Sequence, residues 1–456
     1  MIWEKLVKSK KNTVSIAVAM ALAPAAWAAA PAQDTTLDEV IVTAQFRQEN
    51  LQDTPLAITA VSGEQLEKQG LNNVEDLGLL VPNASIRPQT SSSGPAAAIG
   101  MRGVLTGEFI YTTDPGVGVY IDDIYHGTLT GGAMDLLDLE RVEVLRGPQG
   151  TLFGKNSLGG AIRLISKQAK GDDSGNLEVT YGTSNRLDLK GTYDFAMTDK
   201  LFVRISAVSK RIDGYQDVLD FPCEMRVRGT PALAGTLPTL VPSSRQQGGN
   251  CKIAERGGSH TDGGRVALRY LASDDLEFSL AGDYTDTYAD GQPDSKLTQH
   301  SATNFFNNLY SNGTIFSRFG VRFTADNRFL TGDPFKTYAY PVDPVAGKAF
   351  PPGQYTTAWG GLGKMQYRIN DGLRLDVIAG YRTYQSDWMA DGDQMPIDLN
   401  HTYNLQTHEQ KTIEARLSGE GFDSKLEWTA GAYRYDAKSK LGGYVTLPAF
   451  AAILPN

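Results

Sequence analysis

From about Asn176 onward the residues alternate between apolar and polar with a period of two, and no other feature constrains the fold as strongly. Leu187, Leu189, Tyr193 and Phe195 fall on one face of a strand, and Asp188, Lys190, Thr192 and Asp194 on the other. The pattern returns in Leu276, Phe278, Leu280 and Tyr284 against Glu277, Ser279, Asp283 and Thr285. It returns again in Leu373, Leu375, Val377 and Tyr381 against Arg374, Asp376 and Arg382. About nine such strands are expected before the chain ends.

The connections separate two ways of burying such strands. Short turns are expected near Met197 to Lys200, Ala272 to Asp275, Asn370 to Gly372 and Gly419 to Ser424. Between them fall a tight loop, Gly182 to Asn185, and long links over Ile212 to Asp262, Asp286 to Thr356 and Met389 to Thr402. A soluble β-sandwich has no reason to collect its long loops at one end, whereas an outer-membrane barrel does so as a rule. Strands of nine to eleven or more residues match a tilted bilayer crossing, and Tyr193, Phe195, Tyr284, Tyr381, Trp388 and Trp428 are candidates for interfacial girdles. Nine strands leave open edges that lipid cannot satisfy, so the expectation is the front part of a larger barrel.

The amino terminus agrees with export. Lys5, Lys8, Lys10 and Lys11 precede an apolar run from Val14 to Ala23, and the small residues Ala26, Ala28 and Ala30 follow, which predicts a secretory signal over 1–30. The run is far short of the roughly 20 residues that a spanning helix needs. A mean hydropathy of −0.29 does not indicate solubility, because alternating strands average out. Export also places Cys223 and Cys251 where disulfides persist, and they are expected to bond to each other. A net charge of −9 argues against a nucleic-acid partner.

Three further segments precede or open the strand region: an extension over 31–49, a compact stretch over 50–170, and the strands over 171–456. In the compact stretch Leu66, Leu71, Val74 and Leu77 predict an amphipathic helix, while Val117 to Ile124 and Arg141 to Leu145 predict strands. Gly147-Pro148 breaks the second strand, and Gly150, Gly154, Gly159 and Gly160 allow tight turns. Gly150 to Lys155 is not a phosphate loop, because the spacing is one residue short and Asn156 stands where Ser or Thr would hold Mg²⁺. The histidines His126, His260, His300, His401 and His408 lack a paired ligand spacing, and no catalytic constellation stands out, so neither a metal, a cofactor nor an enzyme activity is expected.

Three runs in the compact stretch carry a family resemblance. Ile99 to Val104 is similar to an "IRG" strand, and Val119 to Tyr125 to a "VYIDGV" strand. Leu139 to Lys167 follows "ERIEVLRGP…LFG…GGAINIITK", with Arg163 in place of Asn and Ser166 in place of Thr. These resemble the plug of TonB-dependent outer-membrane receptors, with Arg102, Gly103, Asp122, Glu143, Arg146, Gly147, Pro148, Gly154, Gly159 and Gly160 at the motif positions. The resemblance implies an α+β plug domain followed by an antiparallel transmembrane β-barrel of 22 strands.

The β-branched run of Asp38, Glu39, Val40, Ile41, Val42, Thr43 and Ala44 resembles the family's TonB box. Such a peptide adds itself to the edge of a partner sheet by main-chain hydrogen bonds. About ten residues separate it from the signal, so no additional signalling domain is expected. Implied are a monomeric barrel in the outer membrane of a Gram-negative bacterium, with plug and box facing the periplasm, and energy from the inner-membrane TonB protein. Active uptake of a ferric siderophore is the leading reading. A carbohydrate or other nutrient is the alternative cargo, and a passive adhesin the alternative class. Phe109, Ile110, Tyr111, Tyr125 and His126 are candidates for apical cargo contacts, and Phe305, Phe306, Tyr310 and Phe316 for loop contacts. Arg102, Glu143 and Arg146 are expected to ion-pair the plug to the barrel wall.

Overall fold

The computed structural model describes residues 41–43, 49–50, 52, 54–71, 75–88, 97–106, 114–128, 138–234, 250–291, 293, 327–339, 342–343, 348–349, 353–391, 401–422 and 425–446. The signal, Asp38, Glu39, Val40, Ala44, Val74, Phe109, Ile110, Tyr111, His300 and the loop aromatics Phe305, Phe306, Tyr310 and Phe316 lie outside the described residues.

The inner domain is built on five strands: β1 (Ile58–Ser62), β2 (Val117–Ile121), β3 (Ile124–His126), β4 (Leu139–Arg146) and β5 (Gly160–Ser166). Their order is β1-β4-β5-β2-β3, with only the β5–β2 pair parallel. Gly147 and Gly160 let β4 turn back beside β5: Gly147 has φ +106°, and a Cβ on Gly160, at φ +151°, would lie 2.2 Å from the Leu145 carbonyl oxygen.

The single helix expected across Leu66 to Leu77 is two pieces. Gly63–Lys68 is a helix started by a capping box, in which Ser62 Oγ accepts from Gln65 N and Gln65 Oε1 accepts from Ser62 N. Gly70, at φ +68°, ends it in the left-handed region, and Glu75–Leu79 is a separate 3₁₀ turn. Leu66 and Leu77 still share one core with Val61, Val142, Val144 and Ile162. Each such buried side chain contributes roughly 1.5–3 kcal/mol.

The second part is one antiparallel sheet of nine strands: β6 (Gly175–Tyr181), β7 (Leu187–Thr198), β8 (Leu201–Ile212), β9 (Ser259–Leu271), β10 (Leu276–Asp290), β11 (Gly353–Asn370), β12 (Leu373–Asp391), β13 (His401–Gly421) and β14 (Leu426–Thr446). Each pairs with its neighbours in chain order. One end of the sheet carries the short turns 199–200, 272–275, 371–372 and 422–425, and the other carries the links 182–186, 213–258, 291–352 and 392–400. The 21 residues of β13 and of β14 reach ~70 Å, about twice a bilayer crossing, so these strands extend well past the membrane.

The sheet is inside-out relative to a soluble protein. Leu189 and Leu280 on the apolar face are 41% and 55% exposed, while Asp188 and Asp194 on the polar face are 6% and 0% exposed. The polar face meets the inner domain, and the apolar face, with Tyr193, Phe278, Tyr284, Trp359 and Tyr367 open, is the surface a bilayer covers.

Two of the long links build a common lobe. Gln216–Leu219 pairs antiparallel with Lys252–Arg256 and parallel with Lys336–Thr337. A short helix, Phe221–Val227, is capped by Asp220, whose carboxylate accepts from Cys223 N. The Phe221 ring packs 5.1 Å from Phe329 and 5.2 Å from Tyr338. Cys223 and Cys251 are disulfide-bonded with Cα atoms 5.5 Å apart.

Two outcomes follow from this architecture. Leu280→Arg, on the outward face, is expected to lower barrel stability by about 2–4 kcal/mol in urea-dependent refolding into lipid vesicles. Cys223→Ser opens a crosslink across 28 residues, and is expected to cost the lobe about 3–4 kcal/mol, seen as faster proteolysis within 213–258 while the strands stay protected.

Candidate functional site

Four charge-bearing elements of the inner domain converge near the short-turn end of the sheet. The first is the hairpin turn between β2 and β3, a two-residue turn in which Asp122 and Asp123 have φ +49° and +71°. Asp tolerates this left-handed geometry, and the tight turn throws both carboxylates outward from the domain. Asp122 takes Arg265 of β9 at 2.7 Å and also accepts from Ser166 N and Oγ. Asp123 takes Lys364 of β11 at 3.3 Å, with Arg416 of β13 at 3.9 Å.

The second element is Asp138, just before β4. It accepts from Arg204 Nε and Nη2 at 2.6 and 2.7 Å and from Ser206 Oγ at 2.5 Å, all on β8. Arg204 is shared with Asp194 of β7, which also accepts from the backbone N–H of Lys170 and Gly171. These carboxylates tie the inner domain to the wall at three places.

The third element is Glu143 on β4, fully buried between Arg141 Nε at 2.8 Å and Arg163 Nη1 at 2.6 Å. Arg163 Nη2 reaches on to Asp123 Oδ1 at 2.7 Å. The fourth is Thr43. Its N–H donates to Glu143 Oε1 at 2.8 Å, its carbonyl accepts from Arg163 Nη1 at 2.6 Å, and its hydroxyl oxygen accepts from Arg163 at 2.9 Å and Arg141 at 3.0 Å. Val42, beside it, is fully buried, and Ile41–Val42 pairs antiparallel with Glu49–Asn50. A cavity of about 420 Å³ adjoins the cluster, lined among others by Thr43, Asp122, Arg163, Arg265, Lys364 and Arg416.

The expected ion pairs from Arg102, Glu143 and Arg146 to the wall are not the ones formed. Glu143 lies on an interior strand of the inner sheet, between β1 and β5, and turns toward Thr43. Arg102 is exposed in a turn at φ +49° beside Gly147, and no ion pair of Arg102 or Arg146 occurs among the described residues. Gly103 and Gly154 occupy left-handed turns, Gly159 packs against Val104 and Val117, and Pro148 is exposed after the β4 break.

Tyr125 and His126, candidates for apical cargo contacts, are instead buried against the wall. Gln410 of β13 donates to the Tyr125 carbonyl at 2.5 Å and accepts from Gly127 N, and the Tyr125 ring sits edge-on to Tyr435 of β14. Burial, then Arg382 and His408, hold His126 well below the usual histidine range, so it is neutral.

Asp123 went unnoticed in the sequence, although a signal was present. The "VYIDGV" form has Gly where this chain has Asp123, and "GGAINIITK" has Asn where it has Arg163. The two departures meet across 40 residues of chain as an ion pair.

Residues 50–161 match the TonB-dependent Receptor Plug Domain family. This chain carries a TonB-dependent receptor plug. The chain is also similar to the pesticin receptor of Yersinia pestis, 28% identical over 172 residues, covering 37% of this chain and 24% of that protein. The vitamin B12 transporter BtuB of Vibrio vulnificus is 24% identical over 208 residues, covering 45% of this chain and 33% of that protein. In fold, plug and strands together match the ferric yersiniabactin uptake receptor FyuA from Yersinia pestis with a TM-score of 0.60 at 19% identity, over 86% of this chain and 50% of that one. The siderophore receptor PiuA from Acinetobacter baumannii matches with a TM-score of 0.60 at 16% identity, over 90% and 49%. The chain thus spans about half the length of these solved receptors and a quarter to a third of the curated relatives. The nine-stranded sheet is the barrel wall of this fold, and the inner domain is its plug.

Burial alone would raise the Asp123 carboxyl, but Lys364, Arg163 and Arg416 hold it far below the usual carboxylate range. A group depressed in this way stabilises the folded state fully above its unfolded value, about 3.9, and loses that contribution as pH falls toward the folded value. Plug stability is therefore expected to owe the same amount to Asp123 from pH 8 to about 4. Asp123→Asn is expected to lower it by about 3–5 kcal/mol in that range, as removal of one partner from a buried pair does. The gap from native should close in acid, measured by calorimetry across pH.

Proposed function

We propose that the intact receptor takes up a scarce solute across the bacterial outer membrane, driven by the inner-membrane TonB protein, and that the solute is a ferric siderophore complex. In this reading 1–30 is the signal, 31–49 carries the TonB box, 50–170 is the plug, and 171–456 supplies barrel strands. The barrel acts as a monomer, with plug and box turned to the periplasm.

The observation that carries the reading is the docking of Thr43, next to the buried Val42, on plug charges that are themselves tied to the wall. A pull on this segment bears directly on the contacts that seat the plug. Ile41 and Val42 suit capture by strand addition, because β-branched residues favour the extended backbone that a partner sheet edge requires. Cargo at the loop end alters the segment only if it favours one of two plug arrangements over the other, by as much as its affinities for them differ.

The iron reading is supported by two structural neighbours, a ferric yersiniabactin uptake receptor and a siderophore receptor. A vitamin B12 transporter among the relatives sets the control. Deleting Asp38 to Ala44 is expected to leave binding of a labelled ferric chelate to cells unchanged and to reduce its accumulation to the level of a strain without the receptor. A passive barrel or adhesin would keep both. Growth rescue under cobalamin limitation but not under iron limitation would replace the cargo.

A further inference from the structure

Arg163 is 4% exposed and has hold of both ends of a chain of contacts. One guanidinium nitrogen, Nη1, donates to the Thr43 carbonyl at 2.6 Å, and the other, Nη2, donates to Asp123 at 2.7 Å. Asp123 is held in turn by Lys364 of the wall at 3.3 Å. Glu143, fully buried, closes the cluster from behind by taking the Thr43 N–H and two arginines. The planar, forked guanidinium is what makes the double grip possible; an amide at the same place has too short a reach and no charge to balance Asp123.

We infer that Arg163 is a latch that couples the wall to the coupling segment: while Lys364 holds Asp123, Arg163 is aimed at Thr43 and the segment around Val42 stays buried. Displacing Lys364 from Asp123 lets the guanidinium turn, and Thr43 then loses its carbonyl partner and one of its hydroxyl partners, keeping Arg141 and Glu143. The cavity beside the cluster, lined by Lys364 and Arg163 as well as Thr43, gives the side chains room to do so. Arg163 is in this sense a positioning residue, acting on the partner through Thr43. The inference gives the uptake reading its control point and rests on that reading only for its biological purpose.

The test needs neither cargo nor partner, so its failure and that of the uptake reading are separate. Cys223 and Cys251 are bonded, and a Val42→Cys substitution introduces one reactive thiol. Its labelling rate by a charged maleimide, in outer-membrane vesicles carrying the receptor, reports the fraction of time the segment is free. Arg163→Asn in that background is expected to raise the rate about tenfold, equivalent to about 1.4 kcal/mol, and Arg163→Lys, which keeps the charge but loses the fork, by less. Lys364→Gln is expected to raise it in the same direction, and Arg204→Gln, which loosens the plug at Asp138 instead, to leave it unchanged. An unchanged rate in Arg163→Asn or Lys364→Gln would overturn the latch. An equal rise in Arg204→Gln would do the same, by showing only general loosening.

Discussion

The structure depends on the requirement that a sheet with one apolar and one polar face, placed in lipid, turn its polar face inward and have that face covered. Asp188, Asp194, Asp376, Arg382 and Arg416 are buried on that face, whereas Leu189, Leu280 and Ile413 are open on the other. Whatever covers the inner face must bring charges of its own. The plug does so with Asp122, Asp123 and Asp138, which neutralise Arg265, Lys364 and Arg204.

Attachment by charge differs in kind from attachment by an apolar interface. Buried ion pairs add little net stability over packed hydrophobic groups, but removing one partner is costly. One apolar core, around Val142, Val144 and Ile162, lies within the plug, while a second cluster of Tyr120, Tyr125, Leu145 and Phe153 packs against Tyr435 of the wall.

The long-loop end follows other rules. Strands β12 to β14 run far past the bilayer, and the lobe formed by two loops has its own small core of Phe221, Met225, Phe329 and Tyr338, closed by one disulfide. A lobe this small gains much of its order from the crosslink, since its core is too slight to fold alone.

Periodicity was enough to read the strands, their count and the end to which the long loops belong, because side-chain alternation and turn residues are local properties. The motif from Leu139 to Lys167 was enough to recognise the plug. The helix near Leu66 was legible as apolar spacing, but its interruption at Gly70 was missed because one glycine decided it. The partners of the charges were not legible. Glu143 was expected at the wall and lies under Thr43, 100 residues away in sequence, while Tyr125 and His126, expected to meet cargo, are pressed against Gln410 and its neighbours. Sequence by itself determined that this chain builds a plug and an inside-out sheet, since both rest on patterns within a few residues. Only the tertiary structure decided that Arg163 joins Thr43 to Asp123 and the wall, since hydrogen-bond partners are chosen by distance in space between strands that the chain brings together from far apart.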